Sequence, residues 1–126
     1  MDTYRGRREG SPTADDDYRG LPRQVVAITA AGQKRRLAEA TEPEGYPISV
    51  RGEFEWGYDG SGPINLAAAI LADALDFLPS AMVVLDFCEA VVAEFPGPEF
   101  ELTPTVLQTW LDARLTTGVE ATPRDL

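Results

Sequence analysis

The chain has 126 residues, 44% of them hydrophobic, a net charge of −10, no histidine and a single cysteine, Cys88. That length suits one domain able to bury a core without staples, and the composition excludes an intramolecular disulfide, the commonest general base and zinc sites of the Cys/His type. With no apolar run of about 18 residues and no apolar h-region in "MDTYRGRREGSPTADDD", a soluble cytoplasmic protein is expected.

The charge is unevenly placed. Residues 1–51 hold nine Lys/Arg against eight Asp/Glu, whereas residues 52–126 hold two against thirteen. Nucleic-acid affinity comes largely from counterion release by Lys and Arg, so a conventional nucleic-acid binder is rejected. Arginine outnumbers lysine ten to one, which suits a GC-rich genome or a salt-adapted cytoplasm, and acidity then records habitat.

Residues 1–23 read as a polar, partly ordered N-terminal segment. Its run Asp15, Asp16, Asp17 carries oxygen ligands of the kind Mg²⁺ or Ca²⁺ takes, but no glycine-spaced EF-hand loop follows, and a solvated loop is expected. "RQVVAITAAGQKRRLAEA" predicts a hairpin: a strand near 24–30, a turn at Ala31 and Gly32, and a return strand near 34–39 with Lys34, Arg35 and Arg36 on its exposed side. From Ile48 to Tyr58 the pattern alternates with period two. Ile48, Val50, Phe54, Trp56 and Tyr58 share one face and Ser49, Arg51, Glu53 and Glu55 the other, which predicts a half-buried strand bent at Gly52. Its aromatics suit a core face or, alternatively, a platform on which a ligand stacks.

Pro63–Phe77 predicts a central helix buried on most of its circumference, with proline in the tolerant first turn. A second helix is expected from Pro79 and an N-capping Ser80 to about Phe95, with Cys88 on its apolar face as a small hydrophobe. "PGPEFEL" reads as a short returning strand. Thr103 as N-cap and Pro104 at the first helical position open a third helix whose stripe is Leu107, Trp110, Leu111 and Leu115. Arg114 projects among those residues, predicting a structural ion pair. The compact domain is placed at 24–115 and a disordered tail at 116–126. The expected fold is α+β: a small, mainly antiparallel sheet of three to four strands packed on three helices.

Between strand and helix lies "YDGSGP". Its glycines, hydroxyl and helix N-terminus are ingredients of a phosphate cradle. No lysine or arginine follows, however, and Glu53, Glu55 and Asp59 oppose an anion. The simpler expectation is an architectural corner in which Gly60, Gly62 and Pro63 turn the chain and Ser61 or Gly62 caps the helix. Trp56, Tyr58, Asp59 and Ser61 form the candidate binding surface beside it. Glu53, Glu55 and Asp59 are the candidate metal ligands.

"GEFEWGYDGSGPINLAAAILADAL" resembles the core of a group of short bacterial, archaeal and phage proteins known only as a domain of unknown function. Those proteins are typified by Gly-Phe-Glu-Trp-Gly-Tyr, a Gly-Ser-Gly-Pro turn and an Ala/Leu helix. "YRGRR" (4–8) is similar to the family's opening strand, "VVAITAAGQKRRL" to its hairpin and "FELTPTVLQTWL" to its closing strand and helix. The resemblance implies a compact α+β domain often encoded on mobile elements or phages, and it implies no catalytic residue. The function expected first is therefore a non-enzymatic protein-interaction module with a protein partner, without cofactor, membrane or direct nucleic-acid contact. The alternatives are an acidic mimic of nucleic-acid phosphates that inhibits a DNA-binding host protein, and a nucleotide- or metal-dependent enzyme using the Gly52–Pro63 corner.

Overall fold

The computed structural model describes residues 1–9 and 21–121, with side chains through Arg114. In chain order it comprises β1 (Thr3–Arg8), β2 (Arg23–Ile28), β3 (Lys34–Arg36), α1 (Ser61–Leu75), α2 (Ala81–Ala90), a 3-10 turn at Val92–Glu94, β4 (Glu99–Leu102) and α3 (Pro104–Ala121). The four strands form one antiparallel sheet in the order β3-β2-β1-β4, so the fold is α+β as expected. β1 is a central strand: Tyr4 lies opposite both Ala27 and Leu102, and Arg5 opposite both Val26 and Glu101. The polar N-terminal segment thus supplies the strand that joins the hairpin to β4, and the sheet begins well before residue 24. Asp15, Asp16 and Asp17 lie outside the described residues.

Strand periodicity divides the sheet into two faces. Tyr4, Gly6 and Arg8 of β1, Val25 and Ala27 of β2, and Phe100 and Leu102 of β4 point inward and are buried. Against them stand the six consecutive buried residues Leu66–Leu71 of α1, with Val84, Phe87 and Cys88 of α2 and Leu107 and Leu111 of α3, in one continuous core. An apolar run this long cannot sit at a surface, which is why α1 is the central helix.

The caps follow elementary hydrogen-bond needs at helix ends. Ser80 Oγ accepts from the Val83 amide at 3.4 Å, and Thr103 Oγ1 accepts from the Val106 amide at 3.3 Å. α1 departs from expectation: its N-cap is Gly60, without a side-chain hydrogen bond, and Ser61 is already helical. α2 ends at Ala90, short of Phe95, because the chain breaks from helical geometry at Val91, and the carbonyl of Val92 accepts from the Gly57 amide at 3.1 Å. The backbone of α3 runs to Ala121, past the point at 116 where a tail was expected; residues 122–126 lie outside the description.

The largest correction concerns residues 48–58, which form no strand. Gly52 and Gly57 adopt φ of 135° and 89°, a region closed to regular β-structure, and the polar backbone groups go to scattered partners instead of a ladder. The Val50 and Gly52 amides donate to the carboxylates of Glu42 and Glu39 at 3.0 Å each. The Glu53, Phe54 and Trp56 carbonyls accept from Asn65 Nδ2, Arg23 Nε and Arg8 Nη2. The alternation of burial survives without the strand: Val50 and Trp56 are buried, while Ser49, Arg51 and Glu53 are exposed. Glu55 breaks the pattern by turning inward.

Candidate functional site

The corner is a packed joint, in keeping with its expected architectural role. Trp56 is 1% exposed and sits at its centre, so it is not the surface aromatic that a binding patch needs. Its indole Nε1 donates to the Pro96 carbonyl at 3.0 Å. Its ring meets Phe100 edge-on with centroids 5.0 Å apart, and Phe100 in turn stacks on Phe95 at 4.1 Å. The Arg8 guanidinium lies 4.2 Å above the indole centroid, a geometry that a cation over a ring quadrupole favours.

The same guanidinium explains why Glu55 is inside. Arg8 Nη2 stands 2.6 Å from Glu55 Oε1, with both side chains buried, and Arg23 Nε approaches Glu55 Oε2 at 3.5 Å. Arg23 also binds the exposed Glu53 through Nη2. Two buried charges are tolerated only when each meets the other and further hydrogen bonds, which the Trp56 and Gly97 carbonyls provide to Arg8. Glu53 and Glu55 are therefore committed to arginines rather than held ready for a cation. Among the described residues no three His, Cys, Asp or Glu side chains gather as metal ligands, and the proposed trio with Asp59 is split between interior and surface.

The small residues of the corner are explained by contact. The Glu55 amide donates to the Gly62 carbonyl at 3.2 Å, and a Cβ on Gly62 would lie 2.5 Å from Glu55 Cβ. Gly62 is required by this approach and not by backbone strain. Pro63 is buried in the first turn of α1, whereas Asp59 and Ser61 are exposed and Tyr58 half-buried beside Gly60. Of the candidate surface, Asp59 and Ser61 thus face solvent, Tyr58 does so partly and Trp56 does not. Arg114 pairs with Asp86 of α2 at 2.8 Å; it lies well inside α3, so the helix dipole contributes little to that pair.

A second, partly exposed polar cluster ties the sheet to α1. Tyr4 Oη donates to Asp73 Oδ2 at 2.6 Å, and Arg35 bridges Asp73 and Asp2 at 2.8 and 2.9 Å. Burial pushes the Asp73 carboxyl up, but the hydrogen bonds from Arg35 and Tyr4 outweigh it and hold the group below the usual carboxylate value. Burial, followed by the bond to Asp73, drives the Tyr4 phenol upward. Cys88, buried in α2, has its thiol pushed up to about 11 by desolvation, which suits an inert core residue.

The feature that composition concealed is the outer face of the sheet. Arg5 and Arg7 of β1, Gln24 and Val26 of β2, and Lys34 and Arg36 of β3 point away from the core and line a shallow groove, with Ile28 beyond its edge and Glu9, just past β1, as its one carboxylate among the described residues. Arg5 meets Glu101 at 2.7 Å across the β1–β4 pair; Arg7, Lys34 and Arg36 make no ion pair among the described residues. A chain of net charge −10 thus collects basic groups on one open surface. The signal lay in the alternation of "YRGRR", which places Arg5 and Arg7 on one face and Arg8 on the other, but it is readable only once β1 is known to be a strand flanked on both sides. Large apolar side chains are exposed at Met1, at Phe77 in the α1–α2 connection, at Met82 and Leu85 on α2, and at Val106 on α3.

Residues 4–113 match the model of the Family of unknown function (DUF6166), and the chain belongs to that family. No curated protein and no solved structure matches it. Among the described residues no helix is long and apolar enough to cross a membrane.

Proposed function

We propose that the protein is a non-enzymatic interaction module that engages a protein partner through the outer face of its sheet. The observation that supports this reading is the contrast in how charge is used. Inward-facing arginines are matched to carboxylates, Arg8 and Arg23 to Glu55 and Arg35 to Asp73. The outward Arg7, Lys34 and Arg36 have no such role within the described fold. Charged side chains on an open surface set partner choice and encounter rate more than fold stability. Of the corner's candidate ligands, Glu53 and Glu55 are engaged by Arg23 and Arg8, and Asp59 stands apart at the surface, which weakens the reading of the corner as an enzyme site. A phosphate-mimicking role has less support among the described residues, where Glu53, Asp73, Asp86 and Glu101 lie on separate elements and each is tied to an arginine.

The test is site-specific photo-crosslinking in the native host with the reactive group at position 24 on the outer face, at Met82 on α2, or at Asp59 beside the corner. A discrete protein adduct is expected from position 24, lost when Arg7 and Arg36 are changed to Glu. Adducts from Met82 or Asp59 alone, or an adduct indifferent to Arg7→Glu/Arg36→Glu, would overturn the assignment of the surface.

A further inference from the structure

Resting on that reading, we infer that the occupant of the outer face is an acidic protein segment carrying interspersed aliphatic residues, rather than a nucleic acid. The registers fix how the groups are arranged. Arg36 stands beside Val26, Val26 beside Arg5, and Arg5 beside Glu101; one step along in one direction Lys34 stands beside Ile28, and one step in the other Gln24 stands beside Arg7 and Arg7 beside Glu99. The face is therefore striped, in the order basic (Lys34, Arg36), largely aliphatic (Val26, Ile28), basic (Arg5, Arg7, with Glu9 closing the groove beyond Arg7) and acidic (Glu99, Glu101). Neighbouring strands lie about 4.8 Å apart, so the two basic stripes are roughly 10 Å apart with an apolar floor between them.

A segment laid along the β2 stripe can set aliphatic side chains on the half-buried Val26 and Ile28 while its carboxylates reach arginine or lysine on either side. The Glu99 and Glu101 stripe bounds the site and disfavours a second acidic strand beyond β4. This pattern also distinguishes the occupant from a nucleic acid. Sheets that bind single strands stack bases on exposed aromatic side chains, and the outward positions of these four strands hold none. A phosphate polymer would meet the Glu99 and Glu101 stripe as well as a net charge of −10, whereas a short peptide with spaced carboxylates can stay within the basic stripes.

The inference is tested on the full chain by fluorescence anisotropy with three labelled probes: a twelve-residue peptide of alternating Glu and Leu, the same peptide with Ser in place of Leu, and a twelve-nucleotide mixed-sequence single-stranded DNA. The Glu/Leu peptide is expected to bind most tightly, and Arg5→Ala/Arg7→Ala and Lys34→Ala/Arg36→Ala should each weaken it by roughly tenfold, as loss of about 1.4 kcal/mol implies. Val26→Ser should reduce the preference for Leu over Ser while leaving the folded state intact by circular dichroism. Equal or tighter binding of the DNA, equal affinity for both peptides, or binding unchanged in both basic-stripe double variants would overturn the inference. Sequencing the crosslinked partner separates the two levels. An adduct at position 24 whose attached segment is neutral or basic refutes the acidic occupant and leaves the interaction module standing, whereas absence of any adduct at position 24 refutes the module as placed.

Discussion

Arg7 and Arg8 are adjacent in sequence and opposite in fate. Arg8 points inward, lies over Trp56 and neutralises Glu55 in the interior; Arg7 points outward into water. The difference shows that a charged residue in this protein is structural or available according to the parity of its position in β1, not according to its residue type. It also relocates the functional question. The corner that looked chemically rich in sequence is the joint where Arg8, Trp56, Glu55 and Gly62 lock together, and the plain-looking hairpin supplies the open surface.

The sharpest way to break that comparison is to remove one arginine at a time. Arg8→Ala leaves Glu55 buried with only Arg23 nearby and strips the indole of its cation, and is expected to cost about 3 to 5 kcal/mol. Arg7→Ala should stay within about 0.5 kcal/mol of the parent. Urea denaturation of the two variants decides the matter, and similar midpoints would erase the distinction between the faces.

Glycine contacts extend the comparison along the inner face. Gly62→Val must push against Glu55 Cβ, 2.5 Å from the new Cβ, and Gly6→Ala against the Phe100 ring at 2.2 Å. Each is expected to destabilise by about 1 to 3 kcal/mol, the usual cost of overpacking. Parent-like melting of Gly62→Val would show that the corner is looser than its geometry.

The Tyr4–Asp73–Arg35 cluster sharpens the comparison through pH. Asp73 titrates below its ordinary value in the folded state. Its contribution is therefore complete above the unfolded carboxylate value, about 3.9, and is lost as pH falls through the lower folded value. Tyr4→Phe removes one hydrogen bond to this carboxylate, which should cost about 1.5 to 3 kcal/mol at pH 7 and make stability fall less between pH 5 and pH 2. Denaturant midpoints across that range measure both effects. An unchanged acid dependence would mean that Arg35 alone holds Asp73 ionised.

The smallest effects belong to Cys88 and Asp59. Cys88, with its thiol held up to about 11 by burial, should resist iodoacetamide at pH 8 when folded and react when unfolded, as read by mass spectrometry. Asp59→Asn, at an exposed position of the corner, should shift stability by no more than about 0.5 kcal/mol. Rapid alkylation of the folded protein would place Cys88 within reach of solvent.

Local patterns were sufficient for much of this. The apolar character of "RQVVAI", the apolar run of α1, and the Ser80 and Thr103 caps each depend on neighbours within a turn or two, so the α+β class and the starts of α2 and α3 were legible from the chain alone. The burial rhythm of Ile48–Tyr58 was legible too, but its secondary structure was not. A strand exists only if another strand accepts its hydrogen bonds, and here Arg8, Arg23, Asn65, Glu39 and Glu42, distant in sequence, take them instead. Trp56 and Glu55 of the candidate site were placed on the wrong side of the surface for the same reason. Composition recorded how many acidic groups there are; only the packing of β1 between β2 and β4 decided that Glu55 is neutralised inside while Arg5, Arg7, Lys34 and Arg36 share one face, because strand order and register set which side chains become neighbours across the sheet.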